Sequence, residues 1–424
     1  MSIKPYPKYK DSGVEWLGKV PEHWDVVQFK QFVDIQNGMD HKHVEDDVGY
    51  PVIGSGGQFT HAKEFLYDGE SVLLGRKGTI DKPLFVRGRF WTVDTMYWTK
   101  IKPNASGRVA YYLAVSIPFD YYSTSTALPS MTKSAYNGHM VAKPLLSEQS
   151  AIASFLDHET SKIDALIAEQ EKLIELLKEK RSAVISHAVT TGLNPDVKMK
   201  DSGVEWLGMV PEGWRVTKLG RSCKFRSGFA FSAAAFGQDG VVIIRMNNLK
   251  RGVLDISDAA RIPESACEPA AALSEGDLIW GMSGSTGETG SLGNFARVRL
   301  VDLPCQLNQR VGRFDANLSV LDLDFLEYVI QTAYFYEQVM LFVTGTAQFN
   351  VSSDQVRSCI TALPSLSEQT AIVKFLDTET AKFTTLTTEA QHGIDLLQER
   401  RSALISAAVT GQIDVRDFNP SKAA

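Results

Sequence analysis

Two clusters of side chains in this chain have the chemistry to hold a polyanion and to read what it carries. Residues 215 to 226 contain Arg215, Lys218, Arg221, Lys224 and Arg226 with no acidic residue among them, the composition that phosphate positioning requires. Arg245, Asn247, Asn248, Lys250 and Arg251 follow, mixing cations with amides that can exchange hydrogen bonds with base edges. A solvated basic face with no partner would have the same composition. Earlier in the chain, "GESVLLGRKG" places Arg76 and Lys77 between Gly75 and Gly78, where "GDLIWGMSG" has Met282 and Ser283 between Gly281 and Gly284. Two copies of one scaffold should differ where they read different targets, so Arg76 and Lys77 are candidate readers. Lys133 and Asn137 in "LPSMTKSAYNG" are second candidates, although turn punctuation explains that segment equally well.

Other chemistry is missing. There is no [DNS]-P-P-[YF], no F-x-G-x-G and no G-x-x-x-x-G-K-[ST] pattern. "GMSGSTGETGSLG" at 281–293 looks like a phosphate cradle but lacks the lysine that would reach the phosphates. "HKH" at 41–43, beside Glu45, Asp46 and Asp47, reads as a solvated loop before it reads as a metal site. No catalytic residue, metal or cofactor is therefore expected. Cys223, Cys267, Cys305 and Cys359 lie far apart without CxxC spacing, the pattern of reduced thiols in a cytosol. Nowhere do eighteen apolar residues run together and Met1 to Lys10 has no apolar core, so a soluble cytoplasmic chain is expected, with no membrane contact. The net charge of −6 lacks the basic excess of a chain that holds nucleic acid unaided.

The elements that would position these residues are announced by repetition. "DSGVEWLGKVPEHW" at 11–24 returns at 201–214 with only Lys19 changed to Met209 and His23 to Gly213. A longer stretch, 146–189, returns at 366–409 with a constant offset of 220 and no gap. Each copy reads as one long helix, with Ser147 and Ser367 as candidate caps and Gly192 or Gly411 as the stop. Leu156, Ile163, Gln170, Leu177 and Val184 form a heptad seam, matched by Leu376, Phe383, Ala390, Leu397 and Leu404. Leu166, Ile167, Leu173 and Ile174, with Leu386 and Ile394, would broaden it. Ordinary bundle core would give the same stripe, but roughly forty residues at 1.5 Å each make a rod of about 60 Å, which suits a spacer. Gly393, opposite Leu173 in the repeat, predicts a local weakness without a break.

The segments at about 25–145 and 215–365 share a frame. "TSTA" at 124–127 and "TGTA" at 344–347 differ by 220, and both glycine-flanked loops follow apolar runs that predict strands. "RFWTVDTMYWTKI" and "GVVIIRM" predict further strands, and "DFLEYVIQTAYFYEQV" a helix. Each segment is a mixed α/β domain, duplicated and diverged. If the two helices pair antiparallel, each phrase sits where a helix end meets a domain, with Trp16, Trp24, Trp206 and Trp214 supplying the docking area.

The phrase "YPKYKDSGVEWLGKVPEHW", its return at 201, and the "LSEQ" and "FLD.ET" helices ending in "KRSAVISHAVT" and "RRSALISAAVT" resemble the specificity subunits of type I restriction-modification systems along the whole chain. The resemblance implies an α/β (α+β) fold with two target recognition domains, separated by an antiparallel two-helix coiled coil in a pseudo-two-fold duplication. It implies boundaries at 1–145 for the first domain with its opening phrase, 146–192 for the first spacer helix, 193–365 for the second domain with the repeated phrase, and 366–424 for the second helix and tail. It further implies a non-catalytic reader of a split double-stranded DNA site that binds two methyltransferase subunits, which restriction subunits join. Trp16, Trp206, Leu156, Ile163, Leu177, Leu376, Phe383 and Leu397 are then the candidate subunit-interface residues. Two rivals remain open at this stage: a duplicated coiled-coil scaffold without a DNA role, and an enzyme using the 281–293 loop.

Overall fold

Each repeated stretch folds as one unbroken helix, Leu146–Thr191 and Leu366–Val409. The computed structural model describes residues 4–122, 129–286, 290–344 and 349–418, so TSTA and all of TGTA but Thr344 lie outside the described residues. The helix starts differ from the expected ones. Ser147 and Ser367 stand inside the first turn. The cap of the second helix is Ser365, whose Oγ accepts from the Glu368 amide at 3.3 Å. The first helix has Leu145 there, and Glu148 Oε2 accepts from the Leu145 amide instead. Gly192 and Gly411 close the helices at φ of 77° and 74°, the left-handed conformation that stops an α-helix. Gly393 does not interrupt its helix.

The seam positions are buried or half-buried, but the broadening residues divide. Ile174 and Ile394 are buried and Ile167 is half-buried, whereas Leu166, Leu173 and Leu386 are exposed. One residue is about 100° of helix rotation, so 166 and 167 cannot both face the seam. The buried side steps by four and then three, adding Thr160 and Thr380 to the expected leucines.

The chain divides into two compact units, residues 1–172 with 390–424, and residues 173–389. In the first unit, Ile152, Phe155 and Leu156 share one apolar core with Ile405, Ala408 and Val409, and Arg401 Nε donates to Asp164 at 2.8 Å. The start of one long helix there meets the end of the other. In the second unit, Ile185, Ala188 and Val189 share a core with Ile372 and Leu376.

The repeated phrase is the joint at these meeting points. In the first unit Trp24 is fully buried and donates through Nε1 to Glu148 Oε2 at 2.9 Å, while the ring packs on Gly411. In the second, Trp214 donates to Glu368 Oε1 at 3.0 Å and packs on Gly192. The glutamine of each LSEQ is equally occupied. Gln149 accepts from the Ser106 amide and donates to the Pro144 carbonyl, and Gln369 accepts from the Asp322 amide and donates to the Pro364 carbonyl. The FLD.ET residues clamp a tyrosine from each domain. Tyr112 Oη donates to Asp157 at 2.7 Å and lies 3.2 Å from Thr160 Oγ1, and Tyr328 Oη donates to Asp377 at 2.6 Å.

Both domains are mixed α/β, with one strand order in their shared part. In the first, Val33–Asn37, Met96–Ile101, Tyr67–Gly75 and Leu84–Thr92 lie side by side in a seven-stranded sheet, which Tyr50–Gly54 extends by pairing parallel to Leu84–Thr92. In the second, Cys223–Ser227, Val311–Ala316, Leu278–Gly281 and Phe295–Arg297 repeat that order. There Val241–Ile244 pairs parallel to Cys305–Leu307. The run at 324–339 is not one helix but two, Leu323–Val329 and Ala333–Phe342, because the Thr332 side chain accepts from the Phe335 amide and starts a new helix. Cys223, Cys305 and Cys359 are buried free thiols pushed up to about 12 by burial, so they stay protonated.

Candidate nucleic-acid interface

In the first domain the Arg76–Lys77 turn is built by three segments. The Arg76 amide donates to the Thr95 carbonyl at 2.9 Å, the Met131 amide donates to the Arg76 carbonyl at 3.2 Å, and Lys77 bridges to Ser130. Gly75 must be glycine, since a Cβ there would lie 2.3 Å from the Thr79 carbonyl oxygen. Buried Tyr136 donates to the Gly75 carbonyl at 2.9 Å and holds the short helix Lys133–Gly138 against this turn. Thr132 caps that helix. Arg76 and Lys77 are therefore exposed beside half-buried Lys133, with half-buried Asn137 one turn further along. Arg76 Nη1 donates to the Asp94 carbonyl at 3.3 Å.

The second domain builds the same turn with other side chains. The Met282 amide donates to the Arg310 carbonyl at 2.9 Å, the Val351 amide donates to the Met282 carbonyl at 3.0 Å, and Ser283 pairs with Asn350. Ser352 caps the short helix Ser353–Ser358. Met282 and Ser283 are buried, so they offer nothing at the surface. Arg310 is exposed, and its Nη1 donates to Asn350 Oδ1 at 3.1 Å, which also accepts from Ser283 Oγ at 2.7 Å. Sequence reasoning missed Arg310. Aligning the starts of "MYWTKI" and "VGRFDA" as one strand would have found it.

The basic run behaves as an alternating strand. Cys223 and Phe225 face inward, while Lys224 and Arg226 face outward over a cleft of about 480 Å³ lined also by Arg221, Asp315 and Asn317. The run is free of acids in sequence but not in space, because Arg226 Nε meets Asp315 Oδ2 at 2.7 Å. Arg245 is half-buried, with its guanidinium 5.7 Å from the Phe236 ring. Asn248 is structural: it is buried, accepts from the Arg245 amide and donates to the Asp255 carbonyl. Asn247, Lys250 and Arg251 are exposed around the hairpin of Leu249–Lys250 with Val253–Leu254. Arg251 lines a cleft of about 210 Å³ with Arg181 but also with Asp324, Glu327 and Asp377, a poor surface for phosphate. Among the described residues, no hydrogen bond or ion pair joins the strand cations to this hairpin.

The interface candidates are spread over joint and helices. Trp16 is partly exposed, stacks on His139 at 5.3 Å and donates to the Met140 carbonyl; Trp206 is exposed to a similar degree. Leu156, Ile163, Leu376 and Phe383 are buried, and Leu177 and Leu397 are half-buried.

The rival sites fare poorly. In the described part of the 281–293 loop, the amides of Gly281, Met282, Leu292 and Gly293 all donate to carbonyls and are not turned to a ligand. Among the described residues no three His, Cys, Asp or Glu side chains converge as a metal site, and His41 is flanked by Asp40 and Glu45 at 3.8 and 3.9 Å. No helix among them is long and apolar enough to cross a membrane.

Comparison with known proteins agrees with this geometry. The family model for the type I restriction modification DNA specificity domain matches twice, at residues 21–176 and 211–395. The MjaVIII type I restriction enzyme specificity subunit of Methanocaldococcus jannaschii is 23% identical over 418 residues, covering 95% of each chain. The EcoAI specificity subunit of Escherichia coli is 28% identical over 170 residues, covering 40% of this chain and 28% of its own. A solved structure described as the structural basis of complex assembly and conformational transition of the type I R-M system matches in fold, with a TM-score of 0.68 at 13% identity over 92% of this chain and 98% of the other. Two family matches that each take in one domain and the first part of the helix after it leave one conclusion: this chain belongs to the type I restriction modification DNA specificity family.

Proposed function

We propose that this chain is the non-catalytic reader of a type I restriction-modification complex, in which each domain reads one part of a split double-stranded DNA site. The observation that carries this reading is the pair of equivalent turns, built by the same backbone hydrogen bonds yet carrying exposed Arg76 and Lys77 in one domain and buried Met282 and Ser283 in the other. Lys133, Asn137, Lys224, Arg226, Arg245, Asn247, Lys250 and Arg251 are the remaining candidate contacts, with Arg226 and Arg251 weakened by their acidic neighbours. The two long helices pair as an antiparallel coiled coil that fixes the unread gap. Two methyltransferase subunits dock on the helices and joints, with partly exposed Trp16 and Trp206 on that surface, and restriction subunits join them; buried Leu156, Ile163, Leu376 and Phe383 hold the helices together and do not themselves touch a partner.

The net charge of −6 fits a reader that closes on DNA only with help. The chain alone should bind DNA weakly and without sequence preference, and gain specific, strongly salt-dependent binding when a methyltransferase partner supplies further phosphate contacts. Methylation-aware sequencing of DNA from cells carrying the chain with that partner tests the reading. A split motif with modified adenine on both strands is expected, and exchanging residues 25–145 for those of a relative should change one half alone. A continuous motif, or both halves changing together, overturns the two-reader model.

A further inference from the structure

We propose that Arg310 is the base-reading residue of the second domain, that it stands across one backbone hydrogen bond from the place Arg76 takes in the first, and that each arginine reads a guanine. The inference rests on the DNA-reading function proposed above. The alignment is fixed by main-chain contacts: Arg76 to Thr95 in one domain corresponds to Met282 to Arg310 in the other, at 2.9 Å in both, and a third segment closes each turn through Met131 or Val351. Along this pair the first domain has arginine then threonine, and the second has methionine then arginine. Met282 is only 7% exposed, so that place has been given over to the core. The cation has moved to the partner strand, and each domain keeps one guanidinium at the same rim.

Both guanidiniums are held by one corner. Arg76 Nη1 donates to the Asp94 carbonyl and Arg310 Nη1 to Asn350 Oδ1. Among the described residues no hydrogen bond engages Nε or Nη2 of either arginine, and these two N–H groups form a parallel fork. Guanine is the base whose major-groove edge offers two neighbouring acceptors, O6 and N7, to such a fork. A pre-set fork also loses less freedom on binding than a lysine would. Among the described residues, Arg226, Arg297, Arg299 and Arg313 of the second domain are each tied to a carboxylate, whereas Arg310 is tied to none. Arg215, Arg221, Arg245, Arg251 and Arg261 also make no ion pair there, but of these acid-free guanidiniums only Arg310 belongs to a residue whose backbone closes the turn equivalent to Arg76–Lys77.

The test uses the full chain with its methyltransferase partner. Arg310→Ala should leave the first domain's half-site intact and relax one G·C pair in the other, lowering discrimination there roughly 5- to 150-fold. Arg76→Ala should do the converse. Replacing that guanine by 7-deazaguanine removes N7, so it should weaken binding by the parent complex and leave Arg310→Ala unaffected. Unchanged melting and co-purification with the partner confirm that the exposed substitution leaves the fold intact. A split motif that Arg310→Ala leaves unchanged, or a loss equal on all sequences, overturns this assignment alone. A parent chain that directs no split motif overturns the DNA-reading function and this assignment together.

Discussion

The two joints match almost bond for bond, while the two equivalent turns proposed to read DNA share only their backbone. Trp24 with Glu148 and Trp214 with Glu368 repeat one contact, as do the tyrosine clamps on Asp157 and Asp377. At the turns, Arg76 corresponds to buried Met282 and Thr95 to exposed Arg310. The residues most faithfully repeated in this chain therefore mount the domains, and the exposed arginine of each turn is carried at a different backbone position. Even the joints are not identical in tightness, and the differences can be measured.

The largest expected effect is at the helix stops. A Cβ on Gly411 would lie 2.4 Å from Pro21 and 2.9 Å from the Trp24 ring, whereas on Gly192 the nearest ring atom is 3.2 Å away. Both glycines have positive φ, which costs any other residue about 1–2 kcal/mol. Gly411→Ala should add a packing penalty of about 1–3 kcal/mol to this, and Gly192→Ala much less. Denaturant titrations of the two variants measure this, and equal losses would mean that the joints are equally tight.

Acid should separate the units next. His139 is buried under Trp16 and 2.9 Å from Tyr122 Oη, and burial lowers its pKa to about 4. Its backbone counterpart is Cys359: the Phe29 amide donates to the His139 carbonyl as the Leu219 amide does to that of Cys359. A histidine held neutral binds fewer protons folded than unfolded, so its contribution is whole above pH 6.5 and is lost as pH falls toward 4. The loss reaches about 3 kcal/mol by pH 4. Hydrogen exchange across this window should show the first unit loosening before the second, and His139→Cys should remove that part of the difference. If the variant keeps the full acid response, His139 is not its source.

The clamps give a smaller contrast. Asp157 also accepts from Arg108 Nε at 2.8 Å, whereas the second unit has Asp324, an acid, lining the cleft beside Asp377. Asp157→Ala strands a partly buried guanidinium and should cost about 2–3 kcal/mol, while Asp377→Ala should cost about 1 kcal/mol. Comparable losses would show that Arg108 adds nothing. The smallest effect is a gain. Gly393 has open space where a Cβ would stand, so Gly393→Ala should stabilise the second helix by up to about 1 kcal/mol, read as a rise in melting temperature.

Much of the frame was legible because repetition and period are local signals. An offset of 220 and a heptad stripe need no tertiary knowledge, and they located both long helices and both joints. The clamps were not legible, since Tyr112 lies far from Asp157 in sequence and nothing in "GRVAYYLAV" marks which tyrosine turns inward. The break at Thr332 was hidden because the apolar period continues across it. The turn proposed to read DNA was half legible. Arg76 announced itself between two glycines, but Arg310 sits in "LNQRVGRF" without a repeat partner, and Asp315 neutralises Arg226 from a strand remote in sequence.

The first unit is assembled from both ends of the chain. The Asp414 amide donates to the Lys4 carbonyl at 2.7 Å, and Tyr9 Oη donates to the Gly411 carbonyl at 3.0 Å. The second unit is one continuous stretch, residues 173–389. Order of synthesis and order of completion should therefore differ. The first unit lacks Ile405, Ala408 and Val409 of its core until the second long helix is made, whereas the second unit draws on residues 173–389 alone. Closing that distant contact late should make the first unit the slower to refold. Pulse-labelled hydrogen exchange during refolding would show protection in 173–389 ahead of the rest, and simultaneous protection would argue against this order.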